Sequence, residues 1–102
     1  MSKKKAENKA ASKTLKMLKK MFVGNRIRIS HTGDLAKLCG TTTGKCKNVY
    51  YQSDGPLFES FDFEFGNGSM YRVVLNKKTK ITRTSIEGEI GSTEGYRKVE
   101  LV

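Results

Sequence analysis

The chain has 102 residues, 36% of them hydrophobic and 29% charged. That is enough for one domain with a small core, and too little for the barrels and doubly wound sheets of most metabolic enzymes. Twenty Lys and Arg against ten Asp and Glu leave a formal net charge of +10, which selects an anionic partner: nucleic acid, anionic lipid or an acidic protein face.

The charge is unevenly placed. Residues 1–20 hold eight lysines against Glu7 alone, a net of +7, and residues 21–102 a net of only +3. A basic arm (1–22) therefore precedes a nearly balanced, Gly- and Thr-rich body (23–102), which is predicted to form a small β-barrel domain. The arm opens on a tail, Lys3-Lys4-Lys5. Over 6–22, Ala11, Leu15, Leu18 and Phe22 recur at steps of four, three and four and share one helical face. Lys9, Lys13, Lys16 and Lys20 follow the same steps on the opposite face, and Gly24-Asn25 supply a stop. In an ordinary surface helix those lysines are solvated. In a binding helix they lie, with the tail, against phosphates. The apolar stripe is thin and lacks Trp, which argues against a membrane-surface helix. Lysines interrupt Leu15 to Val23, so no secretory signal follows the basic start, and a mitochondrial presequence would carry arginine. No segment is long enough to span a bilayer. The expected location is the cytoplasm, with the nucleoid or the ribosome as natural sites.

In the body the period changes to two. Arg26-Ile27-Arg28-Ile29-Ser30 predicts a strand with the isoleucines inward and the arginines outward. His31 to Lys37 reads as a loop around Thr32-Gly33-Asp34, Thr41 to Tyr51 as a strand bent at Gly44, and Asp54-Gly55-Pro56 as a turn. Phe61, Phe63 and Phe65 alternate with Asp62 and Glu64. The run Phe65-Gly66-Asn67-Gly68-Ser69 is a hairpin signal leading into Met70 to Leu75; its Asn67-Gly68-Ser69 matches a glycosylation sequon but reads as a turn. Asn76-Lys77-Lys78 turns the chain again, and strands follow at Lys80 to Ile86 and Tyr96 to Leu101. Five or six short strands at this spacing predict a mainly β fold, a small, bent, partly open barrel with the basic amphipathic helix packed on or beside it.

Val23-Gly24-Asn25-Arg26-Ile27-Arg28-Ile29, followed by Gly33 to Gly44, resembles the KOW motif of SH3-like barrels, in which a strand of this pattern leads through a loop to a glycine that starts the next strand. Gly40 would be that glycine, needed where the backbone turns sharply or is closely approached. Phe61 to Gly68 is similar to the family's closing strand and turn, so the likeness covers about residues 22–75. It departs at Thr41, Thr42 and Thr43, where the family usually has Val or Ile. The resemblance implies an SH3-like barrel and RNA, DNA or protein binding without catalysis, as in ribosomal and transcription-elongation proteins.

The chemistry-bearing residues point the same way. Gly40 to Cys46 has three residues between its glycines and Cys46 after the lysine, so it lacks the spacing and hydroxyl of a phosphate-binding P-loop. The Phe61/Phe63/Phe65 stripe alternates with carboxylates that repel a phosphate backbone, so it reads as core; Tyr50 or Tyr51 is the better stacking candidate. Arg26 and Arg28 share a face, as do Lys45 and Lys47. If their strands pair, the four form a basic patch, unless Asp62, Glu64, Glu87 or Glu89 neutralises it. Lys77, Lys78, Lys80 and Arg83 form a second basic cluster at a hairpin tip, where lysine also protects an edge strand. His31 and Asp34 have no nucleophile beside them and do not make an acid–base site. Cys39, Cys46 and His31 cannot complete a tetrahedral zinc site, so the cysteines are reduced thiols or a redox pair.

The sequence thus predicts a non-catalytic nucleic-acid-binding protein that needs no metal or cofactor. Largely sequence-independent phosphate contacts would come from Lys3, Lys4, Lys5, Lys9, Lys13, Lys16, Lys20, Arg26, Arg28, Lys45 and Lys47, with DNA and RNA both open. The alternative is a small intracellular protein that docks on an acidic face of a host protein and inhibits or modulates it. In its size and lysine content the chain resembles phage-encoded proteins of that kind.

Overall fold

The computed structural model describes residues 2–53, 59–91 and 93–102, with side chains from Ala11 onward. Helix α1 runs from Ser2 to Phe22. It begins before the expected residue 6, so Lys3, Lys4 and Lys5 stand in its first turns and do not form a tail. Ala, Lys and Glu are strong helix formers, and nothing in this stretch breaks the helix. The stripe is as predicted. Ala11, Leu18 and Phe22 are buried and Leu15 is half-buried, while Lys13, Lys16, Lys19 and Lys20 are exposed. The helix closes where a stop is expected, with Asn25 Nδ2 donating to the Met21 carbonyl at 2.8 Å.

Seven strands follow: β1 (Arg26–His31), β2 (Thr42–Ser53), β3 (Glu59–Phe65), β4 (Met70–Val74), β5 (Lys80–Ile81), β6 (Ser85–Gly88) and β7 (Arg97–Leu101), with a short helix α2 (Gly33–Leu38) between β1 and β2. They form one antiparallel sheet in the order β4-β3-β2-β1-β7-β6-β5. The fold is mainly β, as expected, with seven strands where five or six were predicted.

Four local expectations are corrected. The strand expected over Lys80 to Ile86 is two strands, because Thr82 makes a turn between them: its N–H donates to the Ser85 carbonyl at 2.8 Å and its Oγ1 accepts from Thr84 N at 3.2 Å. Threonine has high β propensity, and its hydroxyl also builds turns. The loop expected at 31–37 contains α2, whose six residues are held from outside. Leu35 N donates to the Glu94 carbonyl at 3.0 Å and Thr32 N to the Tyr96 carbonyl at 2.9 Å, while Gly95, at φ +121°, passes so close that a Cβ there would clash with the Thr32 carbonyl. The irregularity in β2 falls at Lys47, between Cys46 and Asn48, and not at Gly44. Thr42 to Lys45 pair with β1 and Cys46 to Ser53 with β3, so a bulge lets one strand serve both halves of a curled sheet. Gly44 has a steric role instead, since a Cβ there would lie 3.2 Å from the Phe65 ring. Gly40 has open space around it and does not meet the close approach expected of it. The expected Asp54-Gly55-Pro56 turn lies outside the described residues.

Curling brings the two ends of the sheet together. Val74 N donates to the Glu89 carbonyl at 2.7 Å, and Arg97 on β7 donates through Nη1 to the Arg72 carbonyl on β4 at 3.0 Å. The concave side holds the core, in which Phe61 and Phe63 are fully buried and Phe65 nearly so, together with Ile27, Ile29, Val49, Val73, Ile86 and Val99. The phenylalanine stripe is therefore core, as expected. Leu18 and Phe22 belong to the same cluster, and Phe22 meets the Phe63 ring edge-on at 5.5 Å. The arm is thus docked through two side chains that no longer contact water.

Candidate nucleic-acid interface

On the convex side, the β1–β2 ladder sets Arg26 directly opposite Lys45 and Arg28 opposite Thr43. Arg26, Arg28, Lys45 and Lys47 are all exposed, and Lys47 is the extra residue of the bulge. Residues opposite each other in a ladder project from the same face, so three of the four predicted charges are brought together.

The carboxylates that were candidates to neutralise them are engaged elsewhere. Asp62, only 5% exposed on β3 between β2 and β4, accepts from Arg72 Nε at 3.4 Å and from Ser60 Oγ at 3.4 Å. Glu64 accepts from Tyr50 OH at 2.8 Å. Glu89 lies 3.7 Å from Lys78 Nζ and also accepts from Asn76 Nδ2. Glu87 stands opposite Lys98 and Lys80. Among the described residues none of Arg26, Arg28, Lys45 and Lys47 forms an ion pair. The acidic neighbour that sequence reasoning missed is Glu100, opposite Arg28 on β7. Beyond it the face alternates in sign through Lys98 and Glu87, so the uniformly basic part is confined to β1 and the first half of β2. Tyr50, a stacking candidate, is 39% exposed but committed to Glu64, which raises its phenol above the usual range first through that hydrogen bond. Tyr51 leans on Phe61 with its hydroxyl on Glu59. Neither presents a ring to a phosphate-bearing strand without a carboxylate beside it.

The arm is tied to this patch by backbone. Gly24 N donates to the Cys46 carbonyl at 2.8 Å and Cys46 N to the Asn25 carbonyl at 3.0 Å, so Gly24 and Asn25, between the helix and Arg26, extend the ladder. Lys13, Lys16 and Lys20 are exposed; Lys3, Lys4, Lys5 and Lys9 lie on α1, and their side chains are outside the described residues. Lys19, exposed as well, was missed because it falls between the two helical stripes. Lys19 and Lys20 occupy the last turn, where the helix dipole favours cations. The second basic cluster is divided between two turns: Lys77 and Lys78 follow β4, Lys80 is on β5, and Arg83 is at the tip between β5 and β6.

His31 and Asp34 are not brought together. Asp34 lies 3.8 Å from Lys37 Nζ. His31 receives Arg97 Nε on its Nε2 at 2.9 Å, so its proton sits on Nδ1 and is donated to the Gly40 carbonyl at 2.8 Å. Arg97 is nine-tenths buried, with its guanidinium 5.2 Å above the Tyr71 ring, and burial pulls it below the usual arginine range. Desolvation, with Arg97 as the nearby charge, lowers His31 below its ordinary 6.5. A second proton on His31 would set two cationic donors against each other. The unfolded chain binds that proton more readily, so stability is expected to fall as pH drops below about 6.5 and to level off below the folded pKa. A His31→Gln variant should have a flatter urea-midpoint profile between pH 7 and pH 5; an unchanged slope would assign the effect to other groups.

Both cysteines are free. Cys46 is fully buried, and desolvation pushes its thiol up to about 11, which leaves it unreactive near neutrality. Cys39 is half-buried at the end of α2. Among the described residues no group of potential metal ligands forms, and no helix is long and apolar enough to cross a membrane. No family model, no curated protein and no solved structure matches the chain.

Proposed function

We propose that the protein binds nucleic acid without catalysis, through phosphate contacts from the exposed lysines of α1 and from the β1–β2 patch. The observation that carries this reading is the separation of charges. Asp62, Glu64 and Glu89 are occupied by Arg72, Tyr50 and Lys78, while Arg26, Arg28 and Lys45 share one face, bordered by Glu100 opposite Arg28, and form no ion pair among the described residues. A surface of this kind holds phosphate by charge and reads little sequence. An SH3-like, partly open barrel goes with the proposal, supported by the curled sheet with meeting ends and by the KOW resemblance over residues 22–75.

The test is titration of the purified protein with a random-sequence duplex and a random single strand at low and moderate salt. Four arm lysines and two or three strand charges are expected to give a slope of log K against log salt of roughly −5 to −6 on duplex, with little dependence on sequence. Absence of binding at low salt would overturn the reading in favour of docking on an acidic protein.

A further inference from the structure

We propose that the groove between α1 and the β5–β6 turn accepts an unpaired nucleobase, so that the protein prefers single-stranded to duplex nucleic acid; this rests on the nucleic-acid reading above. The groove, about 610 Å³, is lined by Met17, Met21, Ile81, Thr82 and Arg83. Met17 is 44% and Ile81 36% exposed, two large apolar side chains from different elements left facing water over one hollow. Met17 lies on the flank of α1 beside the stripe that enters the core and Ile81 lies on the short edge strand β5, so the core has used neither. The opposite wall is held in place by the Thr82 turn, with Thr82 Oγ1 and Ser85 Oγ 2.8 Å apart and Leu101 N donating to the Thr84 carbonyl at 2.9 Å.

Cations bracket this apolar floor. Lys13 and Lys20 lie one turn to either side of Met17 on the same flank of the helix, and Arg83 forms part of the far wall. A single strand supplies a matching unit, since each nucleotide carries one phosphate for a cation and one base face for an apolar surface. Methionine suits this contact because its thioether is polarisable and adapts to flat rings. A duplex keeps its base faces stacked inside, so its phosphates could reach the lysines while the floor stayed wet. An acidic amphipathic helix would match the charges, but its anchors at i, i+3 or i+4, and i+7 need about 10 Å of groove. Met17 to Met21 supplies a rise of only about 6 Å, which fits a base better than a helix.

The experiment uses the full chain, a labelled oligothymidine and a random-sequence duplex, followed by fluorescence anisotropy, with the double substitution Met17→Gln, Ile81→Gln. Both positions are exposed, and circular dichroism checks the fold. The expected result is tighter binding of the single strand by the parent protein, weakened about tenfold in the variant, with the duplex affinity unchanged. A 5-iodouracil strand should photocrosslink to the segments holding Met17 and Met21 or Ile81 to Arg83. Equal affinity for strand and duplex, an unchanged variant, or crosslinks elsewhere would overturn the groove and leave the nucleic-acid reading standing. Binding of neither probe would overturn both.

Discussion

Replacing Lys9, Lys13, Lys16 and Lys20 together by glutamate is expected to leave the protein folded and to weaken nucleic-acid binding about a thousandfold. The helix keeps its docking residues, because Ala11, Leu15, Leu18 and Phe22 lie on the other face and three of them are buried. Glutamate is nearly as good a helix former as lysine, and an acidic residue near the helix C-terminus costs only some tenths of a kcal/mol. Each lysine lost from a phosphate is worth about 1 kcal/mol or more as a charge-assisted contact. Four therefore remove about 4 kcal/mol, or three decades in Kd, before the repulsion from the new carboxylates is counted. The measurement is anisotropy at fixed low salt, with a melting curve as the fold control. An unchanged Kd in a folded variant would take α1 out of the interface and leave the β1–β2 patch alone. A Lys45→Glu variant is the natural companion, because Lys45 stands directly opposite Arg26.

The second large effect concerns stability. Phe22→Ala should cost about 3–5 kcal/mol, a large share of the stability of a domain this size. Phe22 has no exposed surface, and its ring meets Phe63 edge-on, so truncation opens a cavity where helix and sheet join. Urea unfolding of Phe22→Ala, Phe63→Ala and the double variant forms a cycle. Coupling of about 0.5–1.5 kcal/mol is expected for the ring pair beyond the area each buries. If Phe22→Ala cost less than about 1 kcal/mol, the arm would not be a structural part of the domain. Nucleic-acid affinity would then depend on its charge alone.

These two results separate what α1 contributes to the core from what it contributes to the surface, and that division was legible in advance. The 3.6-residue spacing of Ala11, Leu15, Leu18 and Phe22 is a local pattern, and burial follows it. The same is true of β1, of the phenylalanine alternation in β3, and of the hairpin at Phe65 to Ser69, where Gly68 N donates to the Phe65 carbonyl at 2.9 Å. Each depends on residues a few positions apart. The misread elements depend on distant partners. A six-residue helix such as α2 is marginal alone and is held by the carbonyls of Glu94 and Tyr96. The bulge at Lys47 arises because one strand must pair with β1 and then with β3.

The candidate site divides in the same way. Composition determined the sign of the net charge, and the positions of the lysines determined that most of it is carried by one helix, because charge and period are properties of the chain itself. Which charges are available was decided by the fold. No local pattern marks Arg72 as the partner of Asp62; the β3–β4 register sets the two opposite each other, and the β2–β3 register brings Glu64 diagonally within reach of Tyr50. Likewise Arg97 finds His31 across 66 residues and Arg72 across 25, contacts without a local signature. Met17 looks like a minor residue beside a helical stripe until the β5–β6 turn brings Ile81 and Arg83 to face it. Neutralisation and exposure are sums over neighbours in space, and in a curled antiparallel sheet those neighbours come from strands far apart in the chain.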